Sequence, residues 1–261
     1  MPKKTILIAG MILTLLAGAV TASAVRRIEE VDIRAGDIII HGYGGFRPET
    51  LPRDHDAPIT LYGGGKITTI SGELPPILEK LILEFDRHGS VQTKGLQVCT
   101  QAKIDPSTTA RARAVCGDAI VGQGYGKAVV KFPEQGPIPV GSPITLFNGP
   151  KKHGNDTVIA HAYLSYPAPA TFVIPVEIEK INKGAYGYRT EAKIPRIAGG
   201  AGHPVSGQLT IGKKWTYKGK RYSFVNARCE SGHLQARGEF TFKESKDALK
   251  GTFIRPCKVA K

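Results

Sequence analysis

Between Lys213 and Phe224 the sequence interleaves aromatic side chains with cations: Lys213-Lys214-Trp215-Thr216-Tyr217-Lys218-Gly219-Lys220-Arg221-Tyr222-Ser223-Phe224. Folded as a hairpin turning near Gly219, this segment puts Trp215 and Tyr217 on one face of its first strand. Tyr222 and Phe224 then share one face of the second. Aromatic faces stack on sugar rings or bases, and a basic rim attracts phosphate or carboxylate groups. Lys213, Lys214, Trp215, Tyr217, Lys218, Lys220, Arg221 and Tyr222 are therefore the candidate binding residues, with an anionic polymer as the matching ligand. The competing reading makes the aromatic face a core face and the lysines its solvated side.

Other groups could do chemistry only if the fold gathers them. Asp54-His55-Asp56, with His41 nearby in sequence, offers metal ligands or the acid and base of a hydrolase, but a tripeptide is equally a polar loop leading into Ala57-Pro58. His161 sits in an apolar strand-like run on the same face as Tyr163 and reads as a hydrogen-bonded, half-buried histidine rather than a base. The glycine runs Gly42 to Gly45, Gly63-Gly64-Gly65 and Gly122-Gln123-Gly124-Tyr125-Gly126 lack the spacing of a dinucleotide fingerprint and the Lys-Ser/Thr of a P-loop, so they read as turns between strands. No nucleophile elbow, H-E-x-x-H or S-x-x-K set occurs, and no helix-turn-helix or zinc-finger spacing. The sequence thus assigns no catalytic residue, no metal, no cofactor and no sequence-specific nucleic acid.

Composition narrows the partner and the compartment. In 261 residues, 36 Lys+Arg stand against 22 Asp+Glu, a net charge of +14, which favours acidic partners such as envelope polymers, acidic glycans, anionic headgroups or nucleic acid. Lys3 and Lys4 precede an apolar run from Ile6 to Val20, and Thr21-Ala22-Ser23-Ala24 supplies a small-residue cleavage site. The run is about 15 residues, short of the roughly 20 that span a bilayer. Residues 1–24 therefore read as a signal peptide, the alternative being an uncleaved N-terminal anchor. Loss of Lys3 and Lys4 takes the charge from +14 to +12, and Val25 in place of Cys marks no lipid anchor. The expected destination is secreted, periplasmic or cell-wall space, and no transmembrane segment follows the cut.

Export sends the four cysteines to an oxidising compartment, where an even count means bridges. Three connectivities are open. Cys99 and Cys116 flank a short segment and Cys229 and Cys257 end two strand-like runs, which favours Cys99–Cys116 and Cys229–Cys257. Strands are expected at 36–41, 58–71, 81–86, 118–132, 141–148, 156–166, 172–178, 204–211, 214–229, 236–243 and 250–256. Leu81, Leu83 and Phe85 alternate with Ile82, Glu84 and Asp86, and His88-Gly89-Ser90 reads as a hairpin turn. Pro175 in the run Phe172 to Glu179 cannot donate to a ladder and points to an edge or a bulge. One short helix is expected from Asp105 to Gly117, with Asp105 as cap, Pro106 at the first position and Gly117 as stop. Residues 44–58 read as an irregular loop. The sum is one domain over 25–261: all-β, an antiparallel β-sandwich or flattened barrel with one short helix, braced by disulfides.

The segments Leu81 to Cys99, Thr109 to Gly124, Phe147-Asn148-Gly149, Phe172 to Ile178 and Gly212 to Cys229 together resemble a group of secreted, β-rich actinobacterial proteins. The resemblance spans residues 75–261, implies a β-rich fold and export, and carries no catalytic residue over. The function expected is an exported, non-enzymatic binding or structural module of the cell envelope or extracellular space, contacting anionic polymers. Its alternatives are a carrier holding an apolar ligand in a cavity between sheets, and an envelope hydrolase using Asp54, His55 or Asp56.

Overall fold

A computed structural model describes residues 30–243, 245 and 247–260; the expected leader, 1–24, lies outside them. In chain order the strands are β1 (Glu30–Ala35), β2 (Ile38–Arg47), β3 (Thr50–Leu51), β4 (Ala57–Pro58), β5 (Thr60–Thr69), β6 (Leu78–Asp86), β7 (Gly89–Val91), β8 (Ile120–Val130), β9 (Ile138–Lys152) and β10 (Asn155–Leu164). They continue with β11 (Ala170–Lys183), β12 (Tyr186–Lys193), β13 (Gly202–Ile211), β14 (Lys214–Tyr217), β15 (Lys220–Ser223), β16 (Val225–Ala227), β17 (His233–Phe242), β18 (Leu249–Pro256) and β19 (Lys258–Val259). Twelve of them form one antiparallel sheet in the order β1-β2-β5-β13-β8-β9-β10-β11-β12-β6-β17-β18. Its two ends approach each other: on β18, Gly251 leaves room for the Ile33 side chain of β1. The sheet is thus a flattened, nearly closed barrel, the all-β antiparallel architecture that the alternating runs predict. Small sheets β4-β16-β7, β14-β15 and β19-β3 supplement it.

One face of the large sheet is apolar around its circuit, as cross-strand alternation requires. Ile33, Ile40 and Ile67 meet Leu78, Phe242 and Leu249 in one cluster. Val121, Leu146 and Val158 receive Leu96 and Phe224, with Val91 and Val225 from the small three-stranded sheet packed beside them. Phe46, Leu51 and Ile59 pack on Ala227, Leu234 and the Cys229–Cys257 bridge. The disulfides are the two expected ones, and closing loops of 17 and 28 residues contributes about 3 kcal/mol each in the chain-entropy account.

The other face of β9 and β10 carries the helical segment. Phe147 and Ile159, directly opposite in register, pack against Ile104, Ala112 and the Cys99–Cys116 bridge. Here the expected single helix is two: a single turn α1 (Gln101–Ile104) and α2 (Thr109–Cys116). Asp105 is extended rather than helical, as the residue before a proline prefers. The chain therefore restarts its helix beyond Pro106, and Thr108, not Asp105, caps α2 by accepting from the Arg111 N–H.

Three further expectations are corrected. The first strand, expected at 36–41, is a hairpin: β1 precedes a turn at Gly36 (φ +55°), and β2 then runs on to Arg47. The 44–58 loop thus shrinks to 48–56, with β3 inside it and β4 closing it. His88-Gly89-Ser90 does not join a hairpin, because β6 pairs with β12 and β17 whereas β7 pairs with β16 in another sheet. Asp86 directs this departure by accepting from the backbone N–H of His88 at 2.9 Å and of Gln235 at 3.1 Å. On β6 the more buried side chains are Ile82, Glu84 and Asp86, although Leu81, Leu83 and Phe85 take the inward side; Glu84, 1 % exposed, lies between Arg189 of β12 and Arg237 of β17. Pro175 falls where β11 pairs with β10 alone, since β12 joins only from Ile178.

The glycine runs are the largest departure: they are not turns but the middles of strands. Gly42, Gly65, Gly207 and Gly126 stand opposite one another across β2, β5, β13 and β8, and Gly44, Gly63, Leu209 and Gly124 form the next row. The backbones crowd this face. A Cβ on Gly65 would lie 3.0 Å from the His41 carbonyl oxygen, one on Gly44 3.2 Å from that of Tyr62, and one on Gly124 would fall on the carbonyl oxygen of Gln208. Glycine permits that approach and with it the tight bend of a closing sheet. The Cβ position of Gly207, in the same row, faces open space. Gly124→Ala is therefore expected to cost about 2–4 kcal/mol and Gly207→Ala less than about 0.5 kcal/mol, read as urea midpoints at unchanged slope. Equal effects would remove the steric explanation.

Candidate polyanion-binding hairpin

The segment singled out in the sequence does form a hairpin. Trp215 pairs with Tyr222 and Tyr217 with Lys220, and the turn residues Lys218 (φ 48°) and Gly219 (φ 73°) take the left-handed conformations of a tight two-residue turn. Its aromatic side is seated rather than free. The rings of Trp215 and Tyr222 stack at 5.8 Å, and Trp215 packs on the cluster of Val121, Leu146, Val158 and Phe224. The indole N–H donates to the Lys94 carbonyl at 3.1 Å. The Tyr217 ring occupies the space that a side chain at Gly95 would need, and at its φ of +73° only glycine is unstrained. Phe224 lies beyond β15 and is 1 % exposed.

What remains outward is charge. Lys214, Lys218, Lys220 and Arg221 are exposed, as is Lys94 on the segment beneath, and none of the five has an ion-pair partner among the described residues. Lys218 leans over the Tyr217 ring at 5.7 Å. Lys213 is turned away and donates to the Asp118 carbonyl, so it anchors the hairpin rather than extending the cationic tip. The candidate set therefore divides by role: Trp215, Tyr217, Tyr222 and Lys213 hold the hairpin down, while Lys214, Lys218, Lys220 and Arg221 face solvent.

The other candidates do not converge. His55 and Asp54 bond to each other at 2.8 Å with 70 % and 87 % of their side chains exposed. Asp56 accepts from Ser90 and pairs with Arg228 at 3.2 Å. His41 is occupied by Asp32 at 2.8 Å and Thr68 at 3.2 Å. Among the described residues no three His, Cys, Asp or Glu side chains are placed to hold a metal ion. None of the helices among the described residues is long and apolar enough to cross a membrane. The sequence reading passes over Tyr43, Tyr62 and Tyr125, although the alternation of glycine with tyrosine in Gly42-Tyr43-Gly44 and Gly124-Tyr125-Gly126 is a period-two signal of strand.

No family model matches the chain, and no curated protein and no solved structure matches it either.

His161 is fully buried rather than half-buried, beneath the helical segment. Its Nε2 lies 3.1 Å from the Ser107 carbonyl and donates to it, Nδ1 has no partner among the described residues, and the Ser107 hydroxyl donates to the Ile104 carbonyl at 2.7 Å while lying 3.5 Å from Nε2. The pair ties β10 to the helical segment. Burial holds the imidazole below its usual value of 6.5, opposed by the hydrogen bond to Ser107. Folding thus disfavours the proton: His161 costs nothing above about pH 6.5 and destabilises progressively as pH falls below it, where the unfolded chain takes up the proton first. His161→Gln should give a shallower loss of stability from pH 7.5 to 5, measured as melting free energy against pH; parallel curves would dismiss this assignment.

Proposed function

We propose that this protein is an exported, non-enzymatic module that binds acidic polymers of the cell envelope or extracellular space, with the hairpin tip as its electrostatic contact. The observation that carries the reading is the set of cations Lys94, Lys214, Lys218, Lys220 and Arg221, without ion-pair partners among the described residues and held on a packed aromatic root. A formal charge of +14, or +12 once Lys3 and Lys4 leave with the leader, supports it, because an excess of like charge is stabilised by an external polyanion. The leader-like residues 1–24, the two disulfides and the resemblance to secreted actinobacterial proteins support export.

Such contacts release counterions, so affinity falls steeply with salt. Lys218→Glu, Lys220→Glu and Arg221→Glu combined should weaken binding to poly(glycerol phosphate) at least tenfold. They should also lower the slope of log affinity against log salt by about three, one per cation lost. Trp215, the single tryptophan, reports the contact by its emission. An unchanged affinity and slope in the triple variant would remove the hairpin as the contact. Export has its own test: protein recovered outside the cytoplasm should begin at Val25, and an intact Met1 would contradict it.

A further inference from the structure

We infer that the outward face of β2, β5, β13 and β8 is a second binding site, built for a hydroxyl-rich, acidic polysaccharide chain. It lies on the opposite side of the sheet from the apolar cluster that receives Trp215, so it is separate from the hairpin and does not depend on the reading above.

Its construction follows from the glycine pattern. The tyrosines alternate with the inward glycines and therefore point outward, where other glycines make room for the rings to lie down. A Cβ on Gly64 would come within 2.8 Å of the Tyr43 hydroxyl, one on Gly45 within 2.7 Å of that of Tyr62, and one on Gly141 within 2.5 Å of that of Tyr125. The rings thus lie along the sheet instead of standing off it. Tyr43, Gly64, Gln208 and Tyr125 form one cross-strand row, in which the Tyr43 hydroxyl donates to the Gln208 side-chain oxygen Oε1 at 3.2 Å. Three inter-strand spacings of about 4.8 Å set the two end tyrosines about 14 Å apart, the reach of a short run of sugar rings rather than of one small molecule. Alongside lies a second row, His41, Lys66, Ser206 and Lys127, and a depression of about 480 Å³ covers both.

The chemistry of these rows selects the ligand. Flat ring faces take the C–H faces of pyranose rings. Gln123, Gln208, Ser206 and Thr210 offer the neutral amide and hydroxyl groups that pair with sugar hydroxyls. Lys66 and Lys127 are exposed and without ion-pair partners among the described residues, Asp32 at the rim is already committed to His41 and Arg34, and Glu30 is the one carboxylate among the residues that line the depression. Two free cations among many neutral groups suit a chain bearing intermittent carboxylates. A phosphodiester at every unit would want a denser basic stripe.

The test uses polygalacturonate oligomers, a neutral β-glucan of matched length, and single-stranded oligothymidylate as probes in solution binding measurements. Polygalacturonate should bind in preference to both others. Tyr43→Ala with Tyr125→Ala should weaken it at least tenfold, and Gln123→Ala with Lys66→Glu and Lys127→Glu, changes at exposed positions that hold none of the rings, should do the same if the tyrosine pair disturbs folding. Lys218→Glu, Lys220→Glu and Arg221→Glu should leave this affinity within twofold, so that failure of the hairpin and failure of this face are told apart. No binding of polygalacturonate by the unaltered protein, or binding indifferent to both platform variants, overturns the inference. Tighter binding of oligothymidylate that both variants abolish overturns the ligand class in favour of a nucleic acid.

Discussion

The closest constraint in this structure is the approach of main chain to main chain on the inner side of β2, β5, β13 and β8. At Gly44, Gly65 and Gly124 a carbonyl oxygen of the neighbouring strand stands where a Cβ would crowd it, so these positions favour glycine. What faces outward on these strands follows the same alternation: between the inward glycines stand Tyr43, Tyr62, Lys66, Gln123, Tyr125, Lys127 and Gln208. Curvature and surface chemistry here are one decision, taken residue by residue with a period of two.

The opposite part of the barrel is held in a different currency. There the inward positions are filled by Ile33, Leu78, Phe242 and Leu249, and the outer face is knit by the ladder of Arg189, Glu84 and Arg237. Glu84 is tolerable at 1 % exposure because two guanidiniums meet it. The cation of Arg237 also lies 4.8 Å over the Tyr186 ring, so its own burial is shared between a carboxylate and an aromatic face.

Much of this was legible in the sequence, for reasons that differ element by element. The antiparallel all-β class, both disulfides and the hairpin at Gly219 follow from short-range patterns: alternation, even cysteine count, and a turn residue between aromatic strands. The glycine strands were hidden because a strand is recognised by its apolar face, and on β5 that face carries Gly63 and Gly65 where side chains are expected. The hairpin's aromatic face was ambiguous for a different reason. Whether Trp215 and Tyr217 meet water or protein depends on Lys94 and Gly95, more than a hundred residues away in the chain, and no local pattern encodes that contact. His161 looked half-buried because a strand position cannot reveal that a helical segment covers it.

The order of strands in the large sheet also separates local pairings from distant ones. β8 to β12 form a meander whose partners are sequence neighbours, and β1, β2 and β5 form another local set. Two strands join these pieces: β13 enters between β5 and β8, and β6 lies between β12 and β17, each pairing with segments far along the chain. Non-local pairings form slowly, since the loop entropy is spent before the contacts form. Until β13 arrives, the facing edges of β5 and β8 are open ladders able to accept a foreign strand. Those waiting edges are the glycine-rich ones, low in apolar side chains, so the same residues that let the finished sheet bend also make its unfinished edges poor nuclei for aggregation.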